Sequence, residues 1–330
     1  LLYRFLGPAK FGEYTTVMSI HALFMIFVSS GVTNGVRKFI AEDRRLPNWE
    51  DHVAGFYFRM AVLLSALGAL TYLAAVRYGL IARFLSPIFE QYFTIMVGMV
   101  VAAQMWAYAR RSLMGFGLER YSEPLQVLYN VTFAVVALLL VYYGYGVIGA
   151  LFGQIIGTAI AATIGIALVL KRVSVPSMVL PGGVDLPRRR MVTYNTMAVG
   201  LAVFQLSLYH VDVIMLQTLA GSTQVGNYKT ALMLAEFLWF VPVTLQTVYV
   251  HSTSELWSQD RYDRIAELAS RTTRYTLLLT TVMALGLASL ADVVVPLYWG
   301  SEALPAITPL LVLLPGALGF AAVRPTIAIE

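Results

Sequence analysis

Long apolar runs separated by short polar stretches organise this chain of 330 residues. Nine of them approach or exceed the roughly 20 residues that a helix needs to cross the hydrocarbon core of a bilayer. They lie at about 12–36, 54–76, 91–109, 124–143, 147–170, 192–217, 225–250, 275–296 and 304–323. The runs are continuous rather than alternating, so they predict helices and not strands.

Composition agrees with this pattern. Hydrophobic residues make up 58% of the chain, charged residues only 12%, and mean hydropathy is +0.72. Soluble domains carry about 25% charged residues, so the surplus apolar surface is expected to face lipid. The net charge of +5 does not point to nucleic acid, because the basic residues fall between apolar runs. On one side lie Arg37, Lys38, Arg44, Arg45, Arg110, Arg111, Arg120, Lys171, Arg172, Arg188, Arg189, Arg190, Arg261, Arg264, Arg271, Arg274 and Arg324. The other side has Arg4, Lys10, Arg77 and Arg83. The richer side is therefore cytoplasmic, and a multi-pass protein of the cell membrane is expected. With no cysteine, neither a disulfide framework nor a thiolate metal site exists. The chain opens at Leu1 without a recognisable signal peptide and reads as a piece of a longer protein.

The longest connection, 171–191, holds Pro176, Pro181, Gly182, Gly183 and Pro187. Proline and glycine interrupt helices, so it reads as a cytoplasmic linker between a first bundle, 1–170, and a second, 192–330. The two are related by a repeat. Shifting the chain by 214 residues lays Gly7, Gly12, Tyr14 and Thr16 on Gly221, Gly226, Tyr228 and Thr230. The same shift overlays 12–36 on 226–250, 54–76 on 268–290, and Arg110 on Arg324. It advances the chain by six spans, an even number, so the repeats are parallel and related by an axis along the membrane normal. On this reading the first bundle lacks its first helix and the second is incomplete at its C-terminal end. A whole protein of twelve or more spans is expected.

The segment Leu6-Gly7-Pro8 to Phe11-Gly12-Glu13-Tyr14 is followed by Gly31, Gly35 and Val36-Arg37-Lys38-Phe39-Ile40-Ala41-Glu42. The second half carries Asp212 and Val225-Gly226-Asn227-Tyr228 ahead of a long apolar helix. These features resemble the polysaccharide flippase family of the multidrug/oligosaccharidyl-lipid/polysaccharide exporter superfamily. The resemblance implies an all-α polytopic fold of two bundles around a central cavity that opens alternately to each side. It implies an isoprenoid-linked oligosaccharide as cargo, with membrane lipids as further partners. The cavity helices would be 12–36, 192–217 and 225–250. A monomer is expected.

Flipping requires a polar path for a head group and no bond chemistry. Ionisable groups inside spans are informative because each costs about 2.5–3.5 kcal/mol at the bilayer centre. His21 and Glu236 fall at matching depths of matching helices and are candidates to bind head group or a coupling proton. Asp212 and Lys229 flank the turn at 218–224 and are expected to form an ion pair. Arg37, Lys38, Arg110 and Arg111 stand at the cytoplasmic mouth, where guanidinium groups suit pyrophosphate. Asn34, Gln104, Gln205 and Gln246 could bind sugar hydroxyls or join helices. Arg59, near the cytoplasmic end of its span, is expected to snorkel. No P-loop and no metal-ligand spacing is present, so no cofactor is expected. Drive would come from H+ or Na+ coupling, the membrane potential or mass action. Three other readings compete: a cation-coupled multidrug exporter of the same superfamily, a membrane glycosyltransferase or ligase, and a scaffold without transport. The short external loops disfavour the enzyme.

Overall fold

The computed structural model describes residues 1–42, 48–180 and 186–327, and Arg44, Arg45, Pro181, Gly182 and Gly183 lie outside them. Helices account for nearly all of the described chain, and no strand occurs among the described residues. The first half comprises α1 (Leu2–Ala41), α2 (Trp49–Arg77), the short α3 (Leu80–Phe84), α4 (Ile88–Gly115), α5 (Glu119–Leu140) and α6 (Gly146–Leu170). The short α7 (Val175–Val179) lies in the connection. The second half comprises α8 (Arg188–Ala220), α9 (Ser222–Phe237), α10 (Phe240–Ser258), α11 (Tyr262–Ser289), α12 (Ala291–Trp299) and α13 (Ile307–Ile327).

Six helical stretches are long and apolar enough to cross a membrane, or up to eight if each of two bent pairs is one span. One of the six, 119–170, runs for 52 residues, which at 1.5 Å per residue is roughly 78 Å, more than twice a bilayer core. It folds back on itself. A π-helical turn at Val141–Tyr145 joins α5 to α6, with Gly144 at φ 92° and Gly146 at φ 55°. Beyond the turn the helices run antiparallel at close range. A Cβ added to Gly149 would lie 2.9 Å from Leu140, one on Gly153 2.6 Å from Ala137, and one on Gly157 3.0 Å from Phe133. Small residues let two backbones approach this closely in a membrane. Counting both arms separately gives seven crossing segments, or nine if each bent pair is one span, against the nine that the hydrophobic pattern predicts.

The 214-residue repeat is present in the backbone. Gly7 (φ 71°, ψ 170°) and Gly221 (φ 82°, ψ 174°) are equivalent by the shift and share one conformation, which glycine alone adopts at low cost. Elements follow the same order: α11, α12 and α13 repeat α2, α3 and α4. One difference has a local cause. The single long α1 corresponds to α9 plus α10, which bend by 44°. Pro242 removes a hydrogen bond and clashes with the preceding turn, and the first repeat has Val28 there.

α1 joins the halves, packing on α2, α4 and α6 and also on α8 and α9. Where α1 crosses α9 the backbones nearly touch, and they do so twice. A Cβ on Gly12 would lie 1.8 Å from the Ser222 carbonyl oxygen, and one on Gly226 2.0 Å from the Pro8 carbonyl oxygen. Pro8 and Ser222 are themselves 214 apart, so the crossing sits on the axis that relates the repeats. Tyr3 donates to Asn227 Oδ1 at 3.3 Å across it, and beside it Thr16 donates to Gln217 Oε1 of α8 at 3.0 Å.

Contacts between connections agree with the charge-derived topology. At the outer end Arg4 Nε donates to the Tyr298 carbonyl at 3.0 Å, and Lys10 lies over Gly146. At the cytoplasmic end Arg190 pairs with Glu42 at 3.1 Å. Two apolar cores result: one gathers Tyr3, Phe11, Phe93, Val147 and Leu310 toward the outer end, the other Val36, Phe39, Trp49, Tyr57 and Met178 at the cytoplasmic end.

α7 is anchored to the first half. Arg59 Nη1 donates to the carbonyls of Ser177, Met178 and Leu180 at 3.0–3.1 Å. It therefore caps α7 instead of only reaching for water. Gly55 makes room, since a Cβ there would lie 2.0 Å from the Ser177 carbonyl oxygen. Gly55→Val is expected to detach α7 at a cost of about 2 kcal/mol. Limited proteolysis should then cut between 171 and 187 many times faster than in the parent chain; unchanged cleavage would refute the anchor.

Candidate functional site

Three helices enclose a cavity of about 470 Å³ in the second half. α8 presents Gln205, Leu208, Tyr209 and Asp212, α9 presents Tyr228, Leu232 and Glu236, and α13 presents Phe320, Val323 and Arg324. These spacings of three and four residues place each set on one helical face. Trp239, at the break between α9 and α10, completes the wall.

The wall combines a stack with balanced charge. Trp239 lies on Phe320 with centroids 4.3 Å apart and planes 18° from parallel. The Arg324 guanidinium sits 4.3 Å from the Phe320 centroid and donates to Gln246 Oε1 at 3.0 Å. Tyr209 meets Trp239 edge-on at 6.2 Å. The Trp239 indole N–H is shielded and has no acceptor among the described residues. Asp212 accepts a hydrogen bond from the Tyr228 hydroxyl. Glu236 has Lys229 and Asp212 as electrostatic neighbours. The lining thus sets two carboxylates against one guanidinium, that of Arg324, and Lys229 lies outside the lining as a further cation acting on Glu236.

Two of the sequence candidates, Asp212 and Glu236, line this cavity, and Gln205 lines it with them. Asp212 and Lys229 form no ion pair among the described residues. The reason is helical phase: Lys229 follows Tyr228 by one residue and is turned about 100° round α9, so Tyr228 takes the place facing Asp212. His21 is elsewhere. It is buried against α2, with Nδ1 3.4 Å from the Tyr72 hydroxyl. His21→Ala is therefore expected to reduce thermal stability and leave transport intact; transport loss in a folded variant would return His21 to the pathway. Gln104 is fully buried and has no hydrogen-bond partner among the described residues.

The cytoplasmic cations divide. Arg110 pairs with Glu123 at 3.1 Å, and Arg111 has Arg37 and Arg110 as neighbours. Lys38 sits 4.0 Å over the Tyr194 ring. With Arg189, Arg190 and Tyr194 it lines a second cavity of about 720 Å³.

Sequence reasoning singled out neither Tyr228 nor Trp239 nor Phe320 as a site residue. The available signals were weak: Tyr228 repeats Tyr14, and Arg324 repeats Arg110. Among the described residues no group of three or more His, Asp or Glu could hold a metal ion.

This arrangement, long apolar helices in a doubled pattern around a cavity that carries charged side chains, defines a multi-pass α-helical membrane protein. A solved structure entitled "Inward-facing conformation of a multidrug resistance MATE family transporter of the MOP superfamily" shares the fold, with a TM-score of 0.73 at 16% identity. The likeness covers 99% of this chain and 79% of that one. Residues 1–247 match the family described as polysaccharide biosynthesis protein, and the chain belongs to that family. No curated protein matches it.

Proposed function

We propose that this protein moves lipid-linked oligosaccharide from the cytoplasmic to the outer leaflet by alternating access, and that it is a carrier and not an enzyme. The observation that carries this reading is the aromatic-walled cavity, whose carboxylates face Arg324 within the wall and Lys229 behind it. The flat faces of Trp239 and Phe320 suit the C–H faces of sugar rings. Asp212, Glu236, Gln205 and Arg324 offer hydrogen-bond acceptors and donors for hydroxyls. A pocket for lipophilic cations would carry surplus negative charge beside its rings, whereas Asp212 and Glu236 are offset by Arg324 and Lys229. The family description supports a polysaccharide role.

In this reading 1–170 and 192–330 rock about the α1–α9 crossing, and 171–191 links them. Lys38, Arg189 and Arg190 meet the phosphate of the cargo at the cytoplasmic mouth. The protein works as a monomer without a cofactor, and H+ or Na+ supplies the drive.

The test is the sidedness of glycolipid in cells lacking the gene. Complete lipid-linked glycan should accumulate on the cytoplasmic face while surface glycan is lost. Unchanged glycolipid with new sensitivity to cationic drugs would replace this reading with drug export. Accumulation of a shortened glycan would replace it with an enzyme.

A further inference from the structure

Arg59 and Arg188 share a cavity of about 310 Å³ with Phe56, Met60 and Leu63. They are close enough for their charges to act on each other. Neither makes an ion pair among the described residues. Arg59 spends one nitrogen, Nη1, on the carbonyls of Ser177, Met178 and Leu180, which cap α7 but carry no compensating charge. Two like charges in one pocket at the membrane edge repel, and a bound anion relieves that cost.

The rest of the pocket says what kind of anion. Phe56, Met60 and Leu63 lie on one face of α2 by their spacing. Leu67 and Leu70 continue that face toward the bilayer centre, and Leu63, Leu67 and Leu70 are all exposed. From Phe56 to Leu70 the track is roughly 21 Å long, the reach of one extended fatty-acyl chain. Both arginines are on the cytoplasmic side, where anionic lipids attract basic residues.

We infer that Arg59 and Arg188 hold the phosphate of an anionic glycerophospholipid of the cytoplasmic leaflet, with its acyl chain along the exposed face of α2. This site is separate from the cavity assigned to the cargo and does not depend on that assignment. The lipid would fasten the start of α8 to α2 and the docked α7, bracing the junction between the halves.

The test uses the full chain, purified and stripped of lipid. Native mass spectrometry follows retention of phosphatidylglycerol, phosphatidylcholine and an isoprenyl phosphate added separately. Phosphatidylglycerol should be retained in preference to phosphatidylcholine. Arg188→Gln should weaken that retention about fivefold, Arg188→Glu more, and Arg188→Lys little. Arg188 is exposed and outside both cores, so these variants keep the fold. Leu63→Ser should weaken retention of both phospholipids alike. Equal retention of the two phospholipids, or unchanged retention in Arg188→Glu, overturns the proposal. Displacement of phosphatidylglycerol by a small fraction of isoprenyl phosphate also overturns it, and would make the pocket a cargo site.

Discussion

Gly12→Ala and Gly226→Ala are each expected to separate the outer ends of α1 and α9 and to abolish transport without preventing membrane insertion. A Cβ at either position would sit 1.8 or 2.0 Å from a backbone carbonyl oxygen of the partner segment. A flexible side chain could rotate away; the carbonyls of Ser222 and Pro8 cannot, because Ser222 opens α9 and Pro8 opens the part of α1 beyond the break at Gly7, and each stretch must shift as a unit. The upper end of overpacking, about 3 kcal/mol, is the expected cost. That is more than a hundredfold in the balance between a closed and an open outer end. The two substitutions act on one crossing, so the double variant should show less than the summed effect. Spin labels at positions 10 and 224, equivalent sites beside the crossing, report the separation directly. The distance should lengthen in both variants. Gly98→Ala is the control: a Cβ there meets nothing within 4 Å, and alanine favours a helix by up to about 1 kcal/mol. An unchanged distance in Gly12→Ala would mean that the crossing yields and is not the seal.

Much of this architecture was written in the sequence because the membrane makes helices conspicuous. Every backbone polar group must be paired inside the bilayer, so an apolar run of 20 residues leaves few options. The repeat was visible at Gly7, Gly12, Gly221 and Gly226 because those positions need the absence of a side chain, which no other residue supplies. The facing of each helix was not visible. Lipid-facing and bundle-facing residues are both apolar, so hydrophobic periodicity does not separate Leu208 from Leu201 or Phe320 from its neighbours. That is why Trp239 and Phe320 read as ordinary span residues, and why Asp212 was matched with Lys229 instead of Tyr228. The helical phase that separates those two neighbours depends on where α9 starts, and boundaries are the least legible feature of a sequence. α7 was hidden for a different reason: five residues that include Pro176 and stop just short of Pro181 read as linker, and only its docking on Gly55 and Arg59 holds it as helix.

Arg324→Ala is expected to lower transport roughly thirtyfold while leaving the fold intact. Arg324 closes the stack over Phe320 and donates to Gln246. A cation over an aromatic face away from bulk water contributes about 2 kcal/mol, which sets that factor. Its removal also leaves Asp212 and Glu236 with no cation in the cavity wall, so the negative charge of the cavity grows. Two consequences separate a role in the pathway from a role in packing. Arg324→Lys keeps the charge but not the flat stacking surface, and should retain intermediate glycan transport. Trp239→Ala removes the other layer and should act through the same stack, so Arg324→Ala combined with Trp239→Ala should fall short of the product of the single losses. Flux of lipid-linked glycan in reconstituted vesicles, at matched protein levels, measures each. The charge change makes a prediction that a merely structural arginine would not: Arg324→Ala should gain affinity for a lipophilic cation such as tetraphenylphosphonium. Transport unchanged in Arg324→Ala would remove the cavity from the cargo path. Lost transport without any gain in cation binding would mean that Arg324 acts by stacking and hydrogen bonding alone, and that charge balance does not set what the cavity accepts.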